Sequence, residues 1–215
     1  MKITLIDGPM PHVCAIAASM CYNAKNGWNA LESAMEGGHE SLLEHTKFSF
    51  LVEGVSRALL AQLTRHRIAS FSVQSQRYVP MVGGFPYVTP PRIYELGPEA
   101  VKRYENQMAM MAKWYDEWYA LLGREGAEDA RFVLPNACVT RLVMTMNVRE
   151  LRHFFSLRCC NRAQWEIRAL ADALLRICKQ EAAVFFSDAG PGCVRGACPE
   201  GKRSCMKPRR LEEWQ

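Results

Sequence analysis

Residues 98–122 form the longest stretch of helical spacing in the chain, with Tyr104, Met108, Met111, Tyr115 and Trp118 recurring as one stripe. A helix of that length needs other elements to cover its stripe, and core packing is the simplest use of such aromatic and methionine side chains. The covering elements are written as changes of period. "KITLI" (2–6) reads as a short strand, and a helix follows from about Pro9 to Tyr22 with Val13, Ile16, Ala17 and Met20 at helix spacing. "WNALESAMEGG" predicts another helix, stopped by Gly37 and Gly38. Phe48, Phe50 and Val52 alternate as in a strand, which Gly54 should end. "SRALLAQLTRHR" returns to helix spacing, whereas "VPMVGGFPYVTPPR", with four prolines and two adjacent glycines, suits only a loop or lid. "ACVTRLVMTM" has the β-branched content of a strand. Asn147 with Glu150, and Asn161 with Gln164, are capping-box-like openings for two last helices, the second ended by Gly190 and Pro191. The expected class is α/β (α+β): a mixed sheet flanked by helices, with a short cysteine-containing C-terminal tail.

At 215 residues and 49% hydrophobic content, the chain can bury a substantial core, so one elaborate domain or a domain with a small appendage is expected. The balance of 27 basic against 22 acidic side chains, 27 − 22 = +5, favours anionic ligands without demanding a polymer. No window approaches the ~18 apolar residues of a membrane span, and the start lacks a secretion-signal pattern, so a cytoplasmic protein is expected. Nine cysteines, an odd count in a chain this long, read as buried thiols or, for some, metal ligands.

"RHRIASFSVQSQRYVP" (65–80) gathers Arg65, His66, Arg67 and Arg77 within thirteen positions, with no acidic residue from His66 through Met81. "RHR" alone would suit a solvated helix end, where cations complement the dipole. The continuation, with serines, glutamines and Arg77, instead predicts arginines that wait for an external anion, since guanidinium forks match phosphates and carboxylates.

Arg65, His66 and Arg67, seven residues and then Ser75 match the RHR-x7-S signature of flavin-dependent thymidylate synthases. "GHESLLEH", Gln62 three residues before Arg65, "ARFVLP", "MNVRELRHF" and "LRCCNRAQWEIR" resemble further segments of that family, in the same order, over roughly residues 1–187. The resemblance implies a synthase domain over 1–187 and a basic extension over 188–215. It also implies reductive methylation of dUMP to dTMP, with FAD reduced by NADPH and methylenetetrahydrofolate as the carbon donor. It puts FAD against His39, Ser41, Arg65, His66, Arg67, Ile68, Asn147, Arg149 and His153, the last group at a helix start whose backbone N–H groups would be open to an anion. It puts dUMP against Gln62, Gln74, Ser75, Gln76, Arg77, Arg131 and Arg158, with Arg158 activating the pyrimidine. Ser75 has no base beside it in sequence and suits phosphate better than nucleophilic attack. Departures from the pattern are Val73, where many members are acidic, Arg162, where some carry histidine, and His153, where some carry asparagine. The resemblance further implies a homotetramer with shared active sites, and neither a membrane nor a nucleic acid as partner.

Cys193, Cys198 and Cys205 of the tail, with Cys160, are either free thiols in a flexible segment or a four-thiolate zinc site that would order it. Cys14, Cys21, Cys138 and Cys178 sit in apolar, periodic surroundings that suit core packing. The reading from another class is a basic nucleic-acid-binding protein with a zinc-stabilised tail, gripping phosphates through the arginine loop and "KRSCMKPRR".

Overall fold

The structure is a computed structural model that describes residues 1–215, the side chain of Arg124 apart. The chain runs β1 (Lys2–Asp7), α1 (Pro11–Tyr22), α2 (Gly27–Glu36), β2 (Lys47–Ser56), α3 (Arg57–Leu63), β3 (Ala69–Val73), α4 (Pro91–Glu95), α5 (Pro98–Leu122), α6 (Ala127–Ala130), β4 (Val139–Asn147), α7 (Val148–Arg158), α8 (Trp165–Glu181) and α9 (Ala183–Phe186). The strands form one four-stranded sheet in the order β1-β2-β4-β3. β2 does not stop at Gly54: that residue takes φ +73, open to glycine without the Cβ penalty, and the strand continues through it to Ser56. β3 was not legible as a strand, because its five residues, ASFSV, alternate too briefly and include two serines.

Chain contacts divide the protein into two compact units. The α5 unit holds Met1–Lys2, Val52–Gln62 and Ser72–Leu142; the α7 unit holds Ile3–Leu51, Leu63–Phe71 and Val143–Gln215. In the α5 unit, Met108 and Tyr115 of the predicted stripe are buried, Tyr104 and Met111 are half-buried, and Trp118 faces solvent. The proline-rich segment lies against this helix. Its Met81 N–H donates to Tyr115 Oη, its Gly83 N–H donates to Asp116, and Tyr104 Oη donates to the Val88 carbonyl.

In the α7 unit, α7 and α8 bury Leu151, Phe154, Phe155, Ile167, Leu170 and Leu174. Phe186 meets both Phe48 and Phe155 edge-on, and each such ring contributes about 2 kcal/mol of burial. α1 buries Cys14, Ala15 and Ala18, while Ile16 and Met20 of the expected face are exposed. The cause is a close approach by α2: a Cβ at Gly27 would fall 2.2 Å from the Ala15 carbonyl oxygen, so only small residues fit on the facing side. Asn147 caps α7 as expected, accepting from Glu150 N–H at 2.8 Å. α8 opens later than expected: Gln164 accepts from the N–H groups of Glu166 and Ile167, and Asn161 donates to the Lys207 carbonyl instead.

The tail, an extension in sequence, folds onto α8. Arg209 is 11% exposed; it donates to both Asp172 oxygens at 2.8 Å, pairs with Glu213 at 2.7 Å, and lies 4.3 Å from the Trp214 ring centroid. Trp214 Nε1–H donates to the same Asp172 at 2.9 Å, so one carboxylate fastens two tail side chains.

Candidate functional site

α3 ends at Leu63, and the loop to β3 presents the RHR sequence. Arg65, Arg67 and Ile68 are exposed, and among the described residues the two arginines take no ion-pair partner. His66 turns inward and is 5% exposed. Its Nδ1 lies 2.9 Å from Glu150 Oε1, and Arg158 Nε donates to its Nε2 at 3.1 Å. Burial is the largest influence on the imidazole and holds its pKa below the ordinary value; the Arg158 and His153 charges push the same way, and the Glu150 bond opposes them. Burial and the charge of Arg65 also lower Arg158, which nonetheless stays a cation at any working pH.

Beside this chain lies a cavity of about 530 Å³, lined in part by Ile68, Asn147, Arg149 and His153. Its wall carries carboxylates as well: Arg149 is bonded to Glu44, and Arg152 reaches Glu40 at 3.2 Å and Asp188 at 2.7 Å. The expected opening of the α7 N-terminus toward an anion is narrowed by two hydrogen bonds there. Val148 N–H donates to the Thr46 carbonyl and Glu150 N–H to Asn147, which leaves side chains in place of those amides to meet a ligand.

The α5 unit holds the second set. Arg77 N–H donates to Ser75 Oγ at 3.1 Å, which closes a local turn, and Gln76 Nε2 donates to Cys138 Sγ at 3.6 Å. Arg77 Nε pairs with Glu128 at 2.6 Å, with both side chains close to half exposed, and Arg131 Nε donates to the Glu128 carbonyl. Arg57 Nη2 reaches the Gln74 carbonyl at 3.5 Å. Burial and the nearby Arg131 charge both lower Arg57, so this end of the unit concentrates positive charge. Gln62 sits half-buried on α3.

Two separate sets of anion-seeking side chains on this fold suit a protein that holds a cofactor and a nucleotide, and similarity to known proteins agrees. Residues 4–183 match the profile of Thy1, described as thymidylate synthase complementing protein. The chain belongs to the Thy1 family. It is 48% identical to a flavin-dependent thymidylate synthase of Geobacter sulfurreducens, across 96% of this chain and 94% of that one. A protein of the same description from Nitratidesulfovibrio vulgaris is 52% identical, across 80% and 73%. The crystal structure of the Helicobacter pylori flavin-dependent thymidylate synthase complexed with FAD and dUMP superposes with TM-score 0.65 at 26% identity, covering 88% of this chain and all of that one.

The Thy1 match ends before the tail, whose cysteines were read either as free thiols or as zinc ligands. Cys160, Cys193, Cys198 and Cys205 do border one cavity of about 280 Å³. Among the described residues, however, no three His, Cys, Asp or Glu side chains are grouped to hold a metal. Cys160 Sγ accepts from Arg162 N–H, Cys193 Sγ accepts from Arg209 N–H, and Cys205 Sγ donates to the Lys207 carbonyl. The Arg209–Asp172–Trp214 contact supplies the order that a metal was expected to give. Cys14, Cys138 and Cys178 are buried, the first with its thiol pushed up to about 11, whereas Cys21 is exposed, contrary to its expected place in the core.

Of the residues expected near the flavin in this Thy1 chain, Ile68, Asn147, Arg149 and His153 share one cavity; His39, which precedes the Glu40–His45 turn, and Ser41, within it, are exposed and outside the lining. Sequence reasoning missed Glu150, Glu128 and Arg57. Glu150 was visible only as half of a capping box, but its carboxylate goes to His66 and not back to the cap.

Proposed function

We propose that this Thy1 protein is a flavin-dependent thymidylate synthase that converts dUMP to dTMP, with methylenetetrahydrofolate supplying the carbon. The observation that carries the reading is the cavity beside the RHR loop, with Arg158 fixed at its imidazole next to it. The donor set fits FAD: Arg65, Arg67 and Arg149 suit its pyrophosphate, Asn147 and His153 its polar edges, and Ile68 an apolar ring face. When bound and reduced by NADPH, FAD supplies the hydride. In this reading Arg158, a permanent cation, faces the uracil ring, stabilises negative charge growing on its carbonyl oxygens, and so activates C5 toward the methylene carbon. Arg77 and Arg131, with Ser75, bind the dUMP phosphate; Gln62, Gln74 and Gln76 offer amides to sugar and base. The chain works in the cytoplasm as a homotetramer in which neighbouring chains share active sites, with 1–187 as the synthase domain and 188–215 as its extension.

The nucleic-acid reading is set aside. "KRSCMKPRR" is not a free basic strip, because Arg209 is committed to Asp172 and Glu213. No helix among the described residues is long and apolar enough to cross a membrane.

The test is anaerobic visible spectroscopy of the purified protein, with NADPH added in the presence and absence of dUMP, followed by product analysis after adding the folate. A bound-flavin spectrum that bleaches faster with dUMP, and dTMP in the full mixture, is the expected result. A protein that neither carries nor takes up FAD overturns the assignment.

A further inference from the structure

We propose that Glu150 is a positioning residue for Arg158, acting through His66: a buried carboxylate fixes one tautomer of the imidazole, and the bare ring nitrogen then fixes the direction of the guanidinium. The inference rests on the reading that Arg158 faces the pyrimidine.

The argument starts from what arginine lacks. A guanidinium has donors and no acceptor, so the His66 Nε2 that receives Arg158 Nε–H at 3.1 Å must carry a lone pair. The ring proton therefore sits on Nδ1, and it points at Glu150 Oε1, 2.9 Å away. No other assignment satisfies both contacts. Glu150 is 7% exposed, and a carboxylate so placed is costly unless a donor meets it. It stands at the third position of α7, from which a glutamate commonly returns to the cap; here Asn147 takes the Glu150 N–H and leaves the carboxylate to His66.

Both ends of the chain belong to α7. Glu150 and Arg158 are eight residues apart, two i,i+4 steps along one face, and span about 12 Å of helix rise. The imidazole from the RHR loop closes that span. Phe154 packs edge-on against it at 5.0 Å between centroids, and His153 at 6.0 Å, so the ring has little freedom to turn. The loop histidine thus aims a helix arginine, and the helix glutamate aims the histidine.

This arrangement has an acid limit. A protonated His66 would present Nε2–H to Arg158 Nε–H, two donors facing each other, and Arg158 would swing away. The charged or titratable groups facing His66 are Glu150, His153 and Arg158, all from α7, while Arg65 of its own loop acts on Arg158. Burial with the two α7 neighbours His153 and Arg158 keeps the ring neutral at neutral pH, and the aim is lost only as pH falls through its lowered pKa.

The experiment measures kcat, the dUMP KM, bound FAD per chain and the pH profile of kcat for wild type, Glu150→Ala, Glu150→Gln and Arg158→Lys. Glu150→Ala should lose about tenfold to a hundredfold in kcat, the scale of a misdirected catalytic group, while retaining FAD and a nearly unchanged KM. Glu150→Gln should recover most of that loss, because its amide oxygen still accepts from Nδ1–H. Its acid limb should move to lower pH, because the carboxylate that favoured the imidazolium is gone. An Ala variant with wild-type kcat, a loss that only tracks missing FAD, or a Gln variant whose acid limb stays in place overturns the proposal. If Glu150→Ala fails to fold, the Gln acid limb decides alone. Arg158→Lys with undiminished turnover would instead defeat the reading of Arg158 itself, so the two failures are distinguishable.

Discussion

Arg158 and Arg77 are both read as partners of one nucleotide, but they are held in opposite ways. Arg158 is half-buried at the end of α7, and its Nε is tied to a neutral acceptor, the bare nitrogen of His66. Arg77 is half-exposed on a loop, and its Nε is tied to the Glu128 carboxylate. A neutral acceptor fixes direction and leaves the positive charge intact; a carboxylate cancels the charge, but in solvent it holds on with only about 0–1 kcal/mol and can be exchanged. The difference teaches how one residue type serves two purposes. On the proposed function, the aimed cation would act on a reacting ring, and the exchangeable one would capture a phosphate that displaces Glu128.

Substitutions can break this contrast. Arg158→Lys keeps the charge and loses the planar fork and its Nε–H, so kcat should fall on the order of 10²- to 10³-fold with FAD still bound, as measured by steady-state turnover and flavin absorbance. Arg77→Ala should act on capture: the dUMP KM should rise about tenfold to a hundredfold, with kcat much less affected. Glu128→Gln sharpens the comparison in the other direction, lowering the dUMP KM by about twofold to fivefold because the phosphate no longer competes with a carboxylate. The smallest effect is that of salt. Raising ionic strength should increase the dUMP KM, through the exposed Arg77 and the half-buried Arg131, and leave kcat nearly unchanged.

Residue type and spacing were enough to read most helices and the strand pattern of β2, because burial follows period: Phe48, Phe50 and Val52 are all fully buried, and α5 and α7 start and stop at their signalled residues. The faces of helices were less legible. Ile16 and Met20 looked like core on apolar character, but the close approach of Gly27 selects the small side of α1, and that depends on a neighbour rather than on period. Nor does sequence distance announce pairing. Glu150 and His66 are 84 residues apart, and a local capping rule explained the glutamate well enough to hide its other use. The zinc alternative for the tail had a related weakness: thiol spacing was read without Arg209, whose carboxylate partners hold the same segment.

The Trp214 contact has an optical consequence. Among the described residues Trp214 is the one buried indole of five, since Trp28, Trp114 and Trp118 are exposed and Trp165 is half-buried. Its emission should lie to the blue of the others while the tail is seated on α8 and shift to the red when the Asp172 fastening opens, so the protein carries its own fluorescent report on the docking of its last residues.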